Sequence, residues 1–344
     1  MDVLRALDWS PPAHWDRIRV IDAHTGGEPF RVVIDGLPEI PGDTVLDRLR
    51  HASRHLDHYR RLLMWEPRGH ADMYGAFLGP PTEPGSDLAV LFIHNAGFST
   101  MCGHGIIALT KVVLDAGILP AENPSTTIRI DTPAGLVTAT AQVGHDGVSS
   151  VSFRNVPSFV LAEEEEIEVE GYGVVRYDLA FGGAFYAFVD SVKAGVDLSD
   201  AGQLIVAGRA IKSAIAQSRK ITHPFQDDLS FLYGVIFIGP PVTPGHTSRN
   251  VCVFADGEID RSPTGTGVSA RVAIGVARGS LELGETMTVE SIVGSTFTGR
   301  AAEKTRFGPF EAVIPEVSGR AHIVGRSEFW VDPEDEIGAG FLIR

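Results

Sequence analysis

Two short stretches of this sequence set a polar side chain directly ahead of a Gly-x-Gly turn. Cys102 precedes Gly103-His104-Gly105, and Thr264 precedes Gly265-Thr266-Gly267. A Gly-x-Gly turn at a helix start lets the backbone come close to a ligand and aims unpaired N–H groups at it, while the helix dipole favours negative charge there. Two such starts opposed across a cleft would grip a carboxylate. At such a place a thiol pKa is drawn down from about 8.5 toward neutrality, which suits a general base working near pH 7. A single Gly-x-Gly before a helix is weak evidence by itself.

The elements that carry these residues repeat. Residues 101–119, MCGHGIIALTKVVLDAGIL, align with residues 263–281, PTGTGVSARVAIGVARGSL, at an offset of 162, so that Cys102 falls on Thr264 and Gly117 on Gly279. Each copy reads as a helix opened by a small-residue turn and closed by a glycine suited to the left-handed conformation. Each is followed by what reads as a strand with a central glycine, IDTPAGLVTAT and ESIVGSTFTGR. Helices are predicted over 43–65 (the longest), 103–116, 200–217 and 265–277. Short strands are predicted over 18–23, 30–34, 89–94, 127–131, 148–153, 235–238, 250–254 and 286–291. The pattern is α+β, and the repeat implies two related domains facing one another across a cleft.

Length agrees: 344 residues exceed one ordinary core and favour two domains of roughly 150 to 170 residues. The boundaries expected are 1–160, carrying Cys102, and 161–334, carrying Asp260 and Thr264, with residues 335–344 returning to the first domain. The formal charge of -15, from 44 acidic against 29 basic residues, argues against nucleic acid or an anionic membrane as partner. Residues 1–20 hold no apolar run, and two cysteines cannot build a disulfide framework, so the cytoplasm is the expected compartment.

Rival chemistries fit poorly. Neither glycine cluster matches GxGxxG or the P-loop, and the twelve histidines show no HExxH and no compact cluster with other ligands. Cys252, in the apolar run VCVF, reads as a small buried hydrophobe. Tyr74, Phe77 and Phe98 read as core aromatics, and the acidic run 163–166 as a solvated turn or edge.

Four segments carry a resemblance: HTGGEPFRVV (24–33), EPRGHADMYGA (66–76), STMCGHG (99–105) and DRSPTGTGVSARVA (260–273). They make the chain similar, nearly end to end, to the proline racemase family, whose members share the diaminopimelate epimerase fold. The resemblance implies two pseudo-symmetric domains, each with a sheet wrapped on a central helix, and an active site in the cleft between them. Racemases and epimerases of this family carry a Cys or Ser at the first motif and a Cys at the second. Here the first is Cys102 but the second is Thr264, in an otherwise intact motif. A threonine hydroxyl is too weak an acid–base group to serve as a second base, and the change is what the family's trans-3-hydroxy-L-proline dehydratases look like.

By position, the backbone N–H groups of Gly103, His104, Gly265 and Thr266 resemble the family's carboxylate cradle, and Asp260 its ligand for the ring ammonium, the lesser alternative being that Asp260 simply caps the turn into the second helix. His104 would orient the cysteine or touch the leaving hydroxyl. Thr264 would line the opposite face. No organic cofactor or metal is implied; the partners expected are a small imino acid and a second copy of the chain in a homodimer. The alternatives are a proline racemase or hydroxyproline 2-epimerase, and a non-catalytic imino-acid-binding protein.

Overall fold

The computed structural model describes residues 3–343. Among them, eighteen strands are hydrogen-bonded into one continuous mixed sheet. Five α-helices accompany it: α1 (Val45–His55), α2 (Asp57–Met64), α3 (Gly103–Asp115), α4 (Ala201–Ser218) and α5 (Gly265–Ala277).

The order of strand pairing repeats between the halves of the chain. Glu28–Asp35 runs parallel to Tyr74–Gly79, which pairs antiparallel with Leu88–His94, which runs parallel to Ser125–Thr132. Phe185–Asp190, Leu232–Gly239, Ser248–Phe254 and Thr286–Glu290 make the same parallel, antiparallel, parallel series. Parallel neighbours need a long crossover. In the first half α1 and α2 fill the first crossover and α3 the second, and α4 and α5 fill the matching places in the other half.

α3 and α5 are the inner helices. Every residue of α3 from Gly103 to Thr110 is buried, as is Gly265 to Ala270 of α5. A helix apolar on all sides must be enclosed; Ile106, Ile107, Val112 and Val113 are fully buried, each contributing about 1.5–3 kcal/mol. Both helices end as their sequences suggest, at Gly117 (φ 71) and Gly279 (φ 67). α1, by contrast, buries only Val45 and Ala52 and lies outside the sheet over a second, smaller core.

Three expectations change. The helix predicted over 43–65 is broken at Leu56 (φ -119) into α1 and α2. The break turns the buried Arg60 so that its guanidinium donates to the carbonyls of His94 and Asn95 and pairs with Asp57, and a buried guanidinium left unsatisfied would cost more than one interrupted helical turn. The strands after the inner helices hold no central glycine: Gly135 (φ 130) and Gly294 (φ 82) sit at turns that split each stretch into an antiparallel pair. Residues 163–166 lie within the strand Ser158–Val169, where Glu163, Glu165 and Glu166 pair with arginines at the surface.

The chain also returns to the first half earlier than residue 335. Ala321–Val331 pairs along its length with Asp16–Thr25, and Phe341 bridges to Glu66. Just before it, Phe310–Gly319 joins the halves by pairing with Gly147–Arg154 and Ser158–Val169. No helix among the described residues is long and apolar enough to cross a membrane.

Candidate active site

The two inner helices meet at their N-termini. A Cβ on Gly103 would lie 2.5 Å from the Gly265 Cα, and one on Gly265 would lie 2.7 Å from the Gly103 Cα. Only glycine permits this approach. Around the junction lies a small cavity of about 20 Å³, walled by Cys102, His104, Asp260, Thr264 and Thr266 together with Tyr74, Tyr186, Tyr233 and Cys252. The structure thus gathers all seven residues singled out from the sequence. The space holds about one water molecule.

Cys102 is the N-cap of α3: its sulfur accepts from the Gly105 N–H at 3.2 Å and lies 3.3 Å from His104 Nδ1. Its thiol is not drawn down as the sequence suggests. Burial pushes it well above the ordinary thiol value, and the nearby Asp260 and Glu28 carboxyls add to the rise, outweighing the Gly105 N–H. His104 is neutral, its pKa pushed down to about 3 by burial.

Thr264 faces Cys102 across the junction in a different posture. It holds a left-handed backbone (φ 67), makes no side-chain cap, and its buried hydroxyl has no hydrogen-bond partner. Asp260 accepts from the Ser262 N–H at 2.7 Å, and Ser262 Oγ in turn accepts from the Thr264 N–H at 3.1 Å. Asp260 therefore does shape this turn. Burial raises its carboxyl from 3.8 to about 6, with the hydrogen bonds from Ser262 opposing the rise.

Residues passed over in the sequence complete the wall. The Tyr74 and Tyr233 hydroxyls are 3.1 Å apart, and Tyr186 OH is 2.7 Å from Thr266 Oγ1. Tyr74 is a cavity wall and not a plain core aromatic. Cys252 is buried as expected but lines the cavity near Asp260 and Thr264, with its thiol raised by burial. Glu28, in the HTGGEPFRVV segment, accepts from the Arg261 N–H at 2.6 Å, and Arg261 reaches Asp72 at 2.6 Å. With the Ser295 hydroxyl on the Gly26 carbonyl at 2.7 Å, these bonds lock the two halves around the cavity. No sequence signal marks Tyr186, Tyr233 or Cys252, which sit in ordinary apolar strands. Tyr74 and Glu28 lie in motifs that could have drawn attention to them.

A thiol beside two touching helix N-termini is an arrangement able to hold a small carboxylate and exchange a proton with it. The chain belongs to the proline racemase family, whose model matches residues 20–342. It is 45% identical over 341 residues to a trans-3-hydroxy-L-proline dehydratase of Colwellia psychrerythraea, covering 98% of this chain and 96% of that protein. It is 46% identical over 336 residues to the human trans-3-hydroxy-L-proline dehydratase, covering 95% of each. Among solved structures it resembles a hydroxyproline epimerase from Agrobacterium vitis with bound trans-4-hydroxy-L-proline, at TM-score 0.92 and 33% identity, covering 96% of both chains. A probable proline racemase from Agrobacterium radiobacter with bound carbonate gives TM-score 0.90 at 33% identity, covering 95% of this chain and 96% of that one.

Proposed function

We propose that this protein is a trans-3-hydroxy-L-proline dehydratase, a hydro-lyase that releases water and yields Δ1-pyrroline-2-carboxylate. The observation that carries the reading is the mismatch of the two helix starts: a hydrogen-bonded thiol at Cys102 and an unpartnered hydroxyl at Thr264. One face of a bound ring meets a workable base and the other does not. The names of the relatives above point the same way.

The substrate carboxylate would lie on the N–H groups of Gly103, His104, Gly265 and Thr266, which also stabilise the charge that grows as Cα is deprotonated. Asp260 would hold the ring ammonium, and that positive charge would offset the penalty burial places on the Cys102 thiolate. In trans-3-hydroxy-L-proline the Cα hydrogen and the hydroxyl share one face. Cys102 takes the proton, the electron pair forms the Cα–C3 double bond, the C3–O bond breaks, the departing oxygen takes up a proton from an acid of the site and leaves as water, and the enamine tautomerises to the imine. Thr264 lines the far face, and its hydroxyl, a far weaker acid–base group than a thiol, returns no proton there.

We also read the two halves as two domains of the diaminopimelate epimerase type that open and close on the substrate, and the cytoplasm as the compartment, both cysteines being free. A homodimer fits this reading. The test is to incubate the protein with trans-3-hydroxy-L-proline, L-proline and trans-4-hydroxy-L-proline, following imine formation and optical rotation. Imine from the first substrate alone is expected. Rotation change with either of the others, and no imine, would make the protein an epimerase with a second base elsewhere.

A further inference from the structure

Expelling a hydroxyl as water requires a proton donor on the face from which it leaves, which is the Cys102 face. His104 turns its ring to Cys102, with Nδ1 3.3 Å and Nε2 3.7 Å from the sulfur, so its polar atoms serve the thiol. Thr264 belongs to the opposite face. Tyr186 is engaged with Thr266 at 2.7 Å. That leaves the Tyr74–Tyr233 pair. Both rings line the cavity with Cys102, and each stands at the start of the strand that follows the outer helices of its half, Tyr74–Gly79 and Leu232–Gly239.

Two phenols 3.1 Å apart share one hydrogen bond: one O–H donates to the other oxygen, and the second O–H remains to be given elsewhere. Ser99, close to both, spends its own hydroxyl on the Met101 carbonyl at 3.0 Å and can only accept. Tyr74 also packs edge-on against the His104 ring at 4.9 Å and lies close enough to the Cys102 sulfur to favour its thiolate. Burial holds both phenols in the protonated form.

We infer that Tyr74, backed by Tyr233, is the general acid that protonates the departing 3-hydroxyl. The inference rests on the dehydratase reading. As the Cα–H bond breaks, its proton passes to the Cys102 thiolate and its electron pair forms the Cα–C3 double bond. The C3–O bond breaks, and the Tyr74 proton passes to that oxygen, which leaves as water. The Tyr74 phenolate then takes a proton from the Cys102 thiol, restoring both groups. Every proton is accounted for without a further co-reactant.

The test compares two leaving groups in Tyr74→Phe, Tyr233→Phe and the unaltered protein. Hydroxide needs a proton to leave; chloride from trans-3-chloro-L-proline does not. Tyr74→Phe is expected to lose about 10²- to 10³-fold in kcat with trans-3-hydroxy-L-proline, and at most about tenfold in chloride elimination, the share owed to its support of the Cys102 thiolate, with that remaining activity showing that the variant is folded. In D2O it should wash deuterium into Cα of recovered hydroxy substrate faster than it dehydrates it. Tyr233→Phe should lose about tenfold, again on the hydroxy substrate only. Equal losses on both substrates, or full dehydration by Tyr74→Phe, would overturn the inference. Absence of dehydration by the unaltered protein, with chloride still eliminated, would instead sink the dehydratase reading and leave the tyrosine role without a reaction to serve.

Discussion

The starts of α3 and α5 occupy equivalent places in the repeat and do different things. Cys102 has an extended backbone (φ -142, ψ 107) and turns its sulfur back to cap its own helix, so the atom that would do the chemistry is held by the Gly105 N–H. Thr264, one position before the same Gly-x-Gly, has φ 67 and ψ 94, and its side chain makes no capping hydrogen bond to α5. A β-branched residue in the left-handed region is strained by roughly 1–3 kcal/mol, and a buried hydroxyl without a partner costs about 1–3 kcal/mol more. A fold that tolerates both at one point holds that side chain in place for a reason other than stability. On the proposed function, shared helix geometry would make the carboxylate clamp symmetric, and the two residues ahead of it would make the chemistry one-sided.

The comparison breaks most sharply at Cys102. Cys102→Ala is expected to lower dehydratase kcat by about 10³-fold or more, with a loss of only about 1 kcal/mol from the missing cap. Imine formation and thermal unfolding measured on the same sample separate the two effects. If the variant kept activity within tenfold, the base would lie elsewhere in the cavity, with Cys252 the nearest thiol.

Next in size is the clamp itself. Gly103→Ala puts a methyl 2.5 Å from the Gly265 Cα, where the obstacle is backbone and cannot rotate aside. The expected outcome is a stability loss of about 1–3 kcal/mol, together with a larger fall in kcat/KM than the same change at Gly117 would give, because Gly117 has open space around it. Equal falls at both positions would show that the junction of the helices does not govern binding.

Asp260 sharpens the contrast through pH. Its carboxyl is raised from 3.8 to about 6 by burial, so the folded protein binds this proton more tightly than the unfolded chain does. The stabilising effect is fully present below about pH 4 and is lost as pH rises through 6. At pH 7 the buried charge costs up to about 3 kcal/mol. Asp260→Asn should therefore melt higher than the unaltered protein at pH 7, with the gain gone by pH 4, while losing at least about 10²-fold in kcat/KM. In the unaltered protein kcat/KM should fall as pH drops below about 6, when the ammonium ligand is neutralised.

Much of this arrangement is legible in the amino-acid sequence, because glycine and cysteine are chemically singular. The turn glycines must be glycine for two helix starts to touch, and the left-handed Gly117 and Gly279 end the inner helices where composition says they should. What stays hidden is set by long-range packing. Whether the Cys102 thiol is drawn down by a helix terminus or pushed up by burial depends on how tightly the second half covers it, and here burial outweighs the terminus. Tyr74 and Tyr233 are 159 residues apart, and nothing local in an apolar strand reveals that their hydroxyls meet. The break at Leu56 follows from Arg60 finding the carbonyls of His94 and Asn95, partners more than thirty residues away.

The smallest expected change in dehydration lies at Thr264, and it tests the one-sidedness directly. Thr264→Ala removes an unpartnered hydroxyl and leaves the Cys102 face untouched, so kcat on trans-3-hydroxy-L-proline should fall by less than about tenfold. Thr264→Cys supplies a thiol to the second face in the place equivalent to Cys102. Dehydration should persist, and a new reaction should accompany it: deuterium incorporation from D2O at Cα of L-proline with slow formation of the D isomer, measured by chiral chromatography. The left-handed backbone makes that gain small, since a sulfur launched from φ 67 does not reach the ring as Cys102 does from φ -142. Inversion by the unaltered protein at the same rate would mean that the threonine hydroxyl, with Asp260 or Cys252 beside it, already serves as an acid–base group, and the two helix starts would be alike in chemistry as well as in fold.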